Sequence, residues 1–158
     1  LERGEMTLDD CRTEIMTRAE QDHGLKLDIY EVFAAMPRDG GLRTAFVDKV
    51  AELKTRGLRR AIITNNVKEF ADGWRSLMPV DELFELVVDS CVEGIRKPNP
   101  KIFELTLQRM GIDDPSRTVF LDDYPANIAA AQKLGMKTVL VTEEADVALL
   151  ELDGLLSS

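Results

Sequence analysis

A threonine, a lysine and a pair of aspartates follow successive apolar segments of this 158-residue chain. Thr64 ends the first segment, Lys97 lies in the loop beyond the second, and Asp122 and Asp123 end the third. Parallel strands place their carboxyl ends at one edge of a sheet, where ligands bind, so we expect these side chains to meet there. A hydroxyl, a cation and an acidic metal site suit phosphoryl transfer, because that reaction needs positive charge around the phosphoryl oxygens.

The pair of aspartates is the most specific of these signals. Two carboxylates a few ångströms apart repel each other by about 1 kcal/mol in water, and by more in a cleft. A divalent cation relieves that repulsion, and a ligand set made only of oxygen favours Mg²⁺. Asn127, one turn into the following helix, is predicted either to orient a carboxylate or simply to cap the helix.

Each of these residues, taken singly, also has an ordinary structural explanation. Thr64 and Asn65 could form only a strand-to-helix turn, and Lys97 could be a solvated loop charge. An acidic pair after a buried strand is harder to explain by structure alone. The ordered set is therefore more specific than any of its members.

The hydrophobic pattern from residue 42 onwards alternates strands with helices. Short apolar runs predict strands at 60–64, 86–89, 118–122 and 137–141. Helical spacing, caps and glycine stops predict the intervening helices, such as the one that Asn99 and Pro100 begin and the one that Gly135 ends. The pattern predicts an α/β fold with a parallel sheet, right-handed crossovers and helices on both faces.

Residues 1–38 look helical and lie outside the strand pattern. Helices are predicted at about 8–22, where Thr7 and Asp10 imitate a capping box, and at about 27–36. These helices are expected to bury five apolar side chains, namely Ile15, Met16, Ile29, Val32 and Phe33. The Asp-Gly-Gly turn at 39–41 is the predicted boundary of this segment.

The charge, the apolar runs and the cysteines of the chain limit its expected binding partners and cellular compartment. The net charge of −9 argues against nucleic acid and anionic membranes, because both bind basic surfaces. No apolar run approaches the ~18 residues that a membrane-spanning helix needs. Cys11 and Cys91 lie in different contexts, which suits a reducing compartment such as the cytoplasm. We expect Cys91 to be a small buried residue and not a nucleophile, and we assign His23 no catalytic role.

Three motifs, in this order, resemble those of the haloacid dehalogenase-like hydrolases. AIITNN, which contains Thr64, is similar to the second motif of that family, and RKPNPKIF, which contains Lys97, is similar to the third. FLDDYPANIAAAQKLGMKTVLV, which contains the aspartate pair, is similar to the fourth. The residues of these motifs are most similar to those of the phosphatase domain of bifunctional soluble epoxide hydrolases and of a related domain of an acyl-CoA dehydrogenase family member.

The resemblance implies a Rossmann-like core at residues 41–158, preceded at 1–40 by part of a helical cap. It implies hydrolysis of phosphate monoesters through a phosphoaspartate, with Mg²⁺ as the cofactor. The implied partner is a small phosphorylated substrate, and the cap would set its identity. A further domain in a larger polypeptide, as in the epoxide hydrolases, is compatible with the motifs.

The family's motifs also imply roles for individual residues. Thr64 and the Asn65 amide would hold the phosphoryl oxygens, and Lys97 would neutralise the nucleophile and the substrate. The implied metal ligands are Asp123 and, in support, Asp122, with Asn127 behind them.

The family's first motif, DxDGT, supplies the nucleophile and the general acid–base, and it has no counterpart before Thr64. Family topology places its strand between those that end at Thr64 and Asp122, so the sheet is expected to lack its central first strand. If the gap stays open, the flanking strands should lie about 10 Å apart, whereas direct pairing would bring them to about 5 Å. The 158 residues alone are expected to be inactive and to bind Mg²⁺ weakly or not at all. ELDGLL, from Glu151, imitates the lost motif but is better explained as part of a terminal helix.

Two other interpretations stay open from the sequence. The chain could be a non-catalytic remnant of this fold that binds a partner or acts as a scaffold. A phosphoacceptor receiver domain also uses acidic residues, threonine and lysine with Mg²⁺, but there the acidic pair comes first. Here Thr64 and Lys97 precede the aspartates, which argues against a receiver. Substrate identity and oligomeric state are not readable from the sequence.

Overall fold

The computed structural model describes residues 1–35, 44–75 and 78–157, and it alternates short strands with helices. The helices are α1 Leu8–His23, α2 Ile29–Ala35, α3 Thr44–Thr55, α4 Ala71–Arg75, α5 Val80–Leu83, α6 Ser90–Glu93, α7 Pro100–Arg109, α8 Pro125–Lys133 and α9 Ala145–Leu156. The strands are β1 Ala61–Thr64, β2 Leu86–Asp89, β3 Val119–Asp122 and β4 Lys137–Leu140. The four predicted strands are thus confirmed to within a residue at each end. The predicted boundary at 39–41 lies outside the described residues.

The strands form two parallel pairs. β1 pairs with β2, with Thr64 opposite Asp89, and β3 pairs with β4, with Asp122 opposite Leu140. Among the described residues, β1 and β3 do not pair with each other. This agrees with the open-gap alternative, in which a direct β1–β3 ladder is absent. The Rossmann-like α/β class is confirmed, although the sheet is split into two halves.

Two apolar clusters cover the opposite faces of the strands. Successive residues of a strand point to opposite faces. Accordingly, Phe120 of β3 joins a cluster with α7 and α8, while its neighbours Val119 and Leu121 pack with α3 and α9. The first cluster also contains Val88 of β2, so it spans both halves of the sheet. The predicted layers of helices on both faces are therefore present, and helices pack against both halves of the sheet.

The signals at the ends of the helices are confirmed in detail. Thr7 and Asp10 form the capping box of α1, and Gly24 ends that helix in the left-handed conformation. Asn99 caps α7 and accepts a hydrogen bond from the Lys101 backbone, with Pro100 at the first helical position. These positions were predictable because the residue types satisfy backbone groups that a helix end leaves unpaired.

The burial predicted for the N-terminal helices was partly wrong. Ile29 is buried, whereas Met16 and Val32 are exposed and Ile15 is half-buried. The Phe33 side chain lies outside the described part of the structure. Polar contacts also join this segment, and such contacts do not require an apolar face to be buried. Arg12 forms an ion pair with Asp28 and stacks 4.9 Å from the centre of a tyrosine ring.

Several contacts among the described residues fasten the N-terminal segment to the core. The backbone N–H of Leu8 donates to Glu69, at 2.8 Å, and the Arg96 side chain forms an ion pair with Glu2. At Gly4, where φ is +69°, an added Cβ would lie only 2.7 Å from the Cys91 carbonyl oxygen. Only glycine fits so close an approach in that conformation. Whether residues 1–40 are a separate cap remains a prediction.

The ELDG sequence lies within α9 and shows no feature of a catalytic motif. Asp153 of this sequence accepts hydrogen bonds from Lys49 of α3 at 3.0 and 3.1 Å. The helical explanation of this sequence is therefore confirmed.

Candidate active site

The carboxyl ends of β1 and β3 and the loop before α7 meet at one place. Lys97, from that loop, donates through Nζ to the Ile63 carbonyl oxygen of β1 and to Asp122 Oδ2 of β3, each at 2.7 Å. Its ammonium also lies 5.7 Å from the centre of the Phe120 ring, within range of a cation–π interaction. The structure therefore brings together two of the residues that the sequence placed at one sheet edge.

Lys97 and Asp122 form an ion pair that is nearly closed to solvent. The lysine side chain is 11% exposed and the aspartate side chain 6%. Charges this far from water are costly unless they are paired and hydrogen-bonded, and here each charge has several partners. The lysine thus bridges the two halves of the sheet, which no backbone ladder joins in the described part of the chain.

Both carboxylate oxygens of Asp122 are engaged. While Oδ2 faces Lys97, Oδ1 accepts from the Tyr124 backbone N–H at 2.9 Å and from Asn127 Nδ2 at 2.8 Å. Asn127 is buried, and its Oδ1 has no hydrogen-bond partner among the described residues. Asn127 therefore contacts Asp122, and its unpaired oxygen is a free acceptor beside the site. Asp123, by contrast, is exposed.

The oxygen donors at this edge suit Mg²⁺ in kind but are too few for a complete site. Asp123 and the Asn127 Oδ1 oxygen are hard ligands of the type that Mg²⁺ selects. Asp122, however, already neutralises Lys97. The described residues contain no group of three or more His, Cys, Asp or Glu side chains placed to share an ion. That Asp122 and Asp123 bind a metal remains a prediction.

Thr64 and Asn65 lie at the end of β1, but the Asn65 side chain does not point to a free ligand position. Its Nδ2 donates to the Lys97 carbonyl oxygen at 3.0 Å, and its Oδ1 accepts from the Lys97 N–H at 2.8 Å. Sequence reasoning missed this contact. The residue type could have suggested it, because an asparagine side chain after a strand commonly forms hydrogen bonds with nearby backbone groups. The roles of Thr64 and the Asn65 amide toward phosphate remain predictions.

A buried polar cluster beside the site was also missed from the sequence. Asn66 Nδ2 donates to Asp89 Oδ2 at 3.0 Å, and the Asn66 N–H donates to Ser90 Oγ at 3.0 Å. The three residues are at most 8% exposed. They join the loop after β1 to the end of β2. The sequence clue to this cluster was Asp89, a carboxylate that ends β2 just as Asp122 ends β3.

Cys91 is half-buried, and not fully buried as the sequence analysis expected. Burial, with a hydrogen bond to Asp89, raises the pKa of its thiol to about 11. A nucleophilic cysteine needs the opposite, a lowered pKa. Cys11 and Cys91 are both free thiols.

Alkylation of Cys91 with iodoacetamide at pH 8 should consequently be slow. A thiol whose pKa is about 11 is roughly 0.1% thiolate at that pH, against about a quarter for a pKa of 8.5. The rate, followed at this site by peptide mass spectrometry, should rise roughly tenfold per pH unit up to pH 10. The urea-unfolded chain is the control and should level off near pH 9. A plateau below pH 9.5 in the folded chain would contradict the raised pKa of the Cys91 thiol.

Sequence comparisons match this chain to a known protein family and to several similar proteins. The sequence model described as haloacid dehalogenase-like hydrolase matches residues 8–135. Acyl-CoA dehydrogenase family member 10 of Mus musculus is 41% identical over 108 residues, which are 68% of this chain and 10% of that protein. Bifunctional epoxide hydrolase 2 of Rattus norvegicus is 30% identical over 129 residues, or 79% of this chain and 23% of that protein. The chain thus spans at most about a quarter of these relatives.

A third relative and two solved structures extend the comparison. Glyceraldehyde 3-phosphate phosphatase of Pyrococcus abyssi is 36% identical over 91 residues, covering 55% of this chain and 37% of that protein. A HAD-like family hydrolase from Porphyromonas gingivalis superimposes with a TM-score of 0.72 at 26% identity, over 96% of this chain and 76% of that one. An enzyme from Bacteroides thetaiotaomicron, solved with magnesium and inorganic phosphate, gives a TM-score of 0.68 at 22% identity, over 94% and 77%.

In the described part of the chain, no helix combines the length and the apolar character that crossing a bilayer requires.

Proposed function

Because this chain belongs to the haloacid dehalogenase-like hydrolases, we propose that it forms the core of a phosphatase that hydrolyses small phosphate monoesters. The observation that carries the proposal is the bridge that Lys97 makes between β1 and the carboxylate ending β3. It puts a desolvated cation at the carboxyl ends of parallel strands, where a phosphoryl group would need charge neutralised. The phosphatase among the relatives supports this class of substrate.

The residues of this chain would bind and orient the phosphoryl group. The Thr64 hydroxyl, at the end of β1, would donate to one phosphoryl oxygen, and Lys97 would neutralise charge on the transferring group. Asp122 is poorly placed to attack phosphorus, because its side chain is only 6% exposed and its Oδ2 is paired with Lys97. The nucleophilic aspartate and the general acid–base would come from a DxDGT motif of the complete polypeptide.

Mg²⁺ would be the cofactor of the complete site, held by Asp123 with support from Asp122. When bound, it would offset negative charge on the phosphoryl oxygens. Since Asp122 is already paired with Lys97 and Asp123 is exposed, we propose that the 158 residues alone bind it weakly.

The proposal predicts no phosphate release by the 158 residues and Mg²⁺-dependent release by the complete gene product. The assay follows p-nitrophenyl phosphate with and without Mg²⁺. In the complete product, Lys97→Met and Asp123→Ala should each lower kcat/KM by at least about 100-fold, as expected when a charge stabiliser is removed. Lys133→Met, which removes an exposed lysine of α8, is the matched control and should leave the activity unchanged.

Two results would contradict the proposal. One is release by the complete product that survives both substitutions. The other is the absence of release from a complete product that carries DxDGT, which would favour the non-catalytic binding role. Turnover by the 158 residues that vanishes in Asp123→Ala would show that this chain supplies its own nucleophile.

A further inference from the structure

We infer that Asn65 is a positioning residue for Lys97, and that its side chain supports the lysine instead of contacting substrate. The Asn65 amide forms a closed pair of hydrogen bonds with the Lys97 backbone. It donates to the carbonyl oxygen at 3.0 Å and accepts from the N–H at 2.8 Å. These contacts use one amide donor and the amide oxygen, so the side chain is committed to the loop before α7.

The end of β1 therefore holds Lys97 at both of its ends. Asn65 fixes the backbone of the lysine, and two residues earlier the Ile63 carbonyl oxygen accepts from the ammonium at 2.7 Å. A lysine side chain loses up to about 2 kcal/mol of conformational freedom when its ammonium is fixed in one place. When the Lys97 backbone is already fixed, fewer side-chain conformations compete with the one that places the ammonium between Ile63 and Asp122.

The loop that carries Lys97 needs such an anchor. It lies between α6 and α7, and the neighbouring Arg96 side chain is directed to Glu2 of the N-terminal segment. The ammonium of Lys97 must nevertheless reach across to Asp122 on the other half of the sheet. We call the two hydrogen bonds between the Asn65 side chain and the Lys97 backbone the Asn65 clamp. This clamp fastens the loop to β1, whose Ile63 carbonyl oxygen also binds the Lys97 ammonium.

The next residue provides a matched comparison. Asn66 also makes two side-chain hydrogen bonds, donating to Asp89 Oδ2 at 3.0 Å and accepting from the Val67 N–H at 2.8 Å. It is more deeply buried than Asn65, and its described side-chain hydrogen bonds go to Asp89 and Val67 instead of Lys97. Replacing either asparagine with alanine thus removes two hydrogen bonds from the same loop, and only one replacement releases the lysine.

The experiment measures the reactivity of single lysines in the folded 158-residue chain. Brief treatment with acetic anhydride, followed by peptide mass spectrometry, gives the labelling rate of each ammonium. In the unsubstituted chain, Lys97 should react at least about tenfold more slowly than exposed Lys133, because it is enclosed and reacts only on local opening. Asn65→Ala should accelerate labelling of Lys97 about tenfold or more, since two hydrogen bonds are lost. Lys133 should be unaffected.

Asn66→Ala separates positioning from general loosening of the fold. It should lower the unfolding midpoint in urea at least as far as Asn65→Ala does, while leaving Lys97 labelling in native buffer within about twofold of the original chain. If Asn65→Ala does not fold, the isosteric Asn65→Asp keeps the acceptor and loses the donor, and about a threefold acceleration is expected. Unchanged Lys97 labelling in the Asn65 variant that folds, or equal acceleration in Asn66→Ala, would overturn the inference.

The importance of Lys97 for phosphate rests on the proposed function, but its positioning by Asn65 does not. The labelling experiment involves no phosphate and no turnover. A chain that fails as a phosphatase can therefore still confirm the clamp, and a failed clamp leaves the phosphatase proposal intact.

Discussion

Replacing Lys97 with methionine should lower the free energy of unfolding by about 3–5 kcal/mol. The substitution keeps most of the side-chain volume and removes the ammonium that pairs with Asp122 at 2.7 Å. It leaves the aspartate, 6% exposed, with its Tyr124 and Asn127 contacts but no counter-charge. An uncompensated buried charge costs more than the pair contributes, which is why we expect so large an effect. Urea unfolding, followed by circular dichroism, measures it.

The comparison that isolates the pair is a double-mutant cycle. Asp122→Asn alone should also lower the free energy of unfolding, because it leaves the buried ammonium without a counter-charge. The double variant should be markedly less unstable than the sum of the two changes, since neither buried charge then remains unmatched. Lys133→Met, on the exposed face of α8, should change stability by less than about 0.5 kcal/mol. Additive effects of Lys97→Met and Asp122→Asn would show that the ion pair is not formed in solution.

Proximity of the site residues was predictable from the sequence, whereas the way in which they contact one another was not. Lys97 and Asp122 could be placed together because each follows a recognisable strand, and parallel strands collect their carboxyl ends at one edge. The engagement of Asp122 Oδ2 depends on the Lys97 side chain crossing between β1 and β3. That crossing is a tertiary contact, and no periodicity of the sequence encodes it.

The N-terminal helices show the same limit for burial. The spacing of Ile29, Val32 and the following phenylalanine marks one helical face, yet Val32 is exposed. An apolar stripe predicts a helix, because it follows from local periodicity. It does not say whether a partner surface lies opposite. The capping box at Thr7 and Asp10 was reliable for the converse reason, since all of its contacts lie within four residues.

Truncating Phe103 to alanine should cost about 3–5 kcal/mol, and it should loosen both halves of the sheet together. Phe103 is completely buried in α7, and its ring lies 5.1 Å from that of Phe120 at 89°, an edge-to-face contact. The same cluster contains Val88 of β2. Because described backbone bonds do not join β1 to β3, the packing of α7 is one of the few links that make the halves unfold as a unit. The free energy comes from urea unfolding.

Hydrogen exchange at individual amides distinguishes this link from an ordinary core contact. If α7 couples the halves, amides of β2 and of β3 should lose protection by similar amounts, since both report the same opening. The milder Phe103→Leu keeps most of the volume and should cost less than about 1.5 kcal/mol, so it remains folded if alanine does not. Val92→Ala, at a position that is 77% exposed, should leave both stability and exchange unchanged. Loss of protection confined to β2 in Phe103→Leu would mean that the halves are joined elsewhere, for example by the Lys97 bridge between β1 and β3.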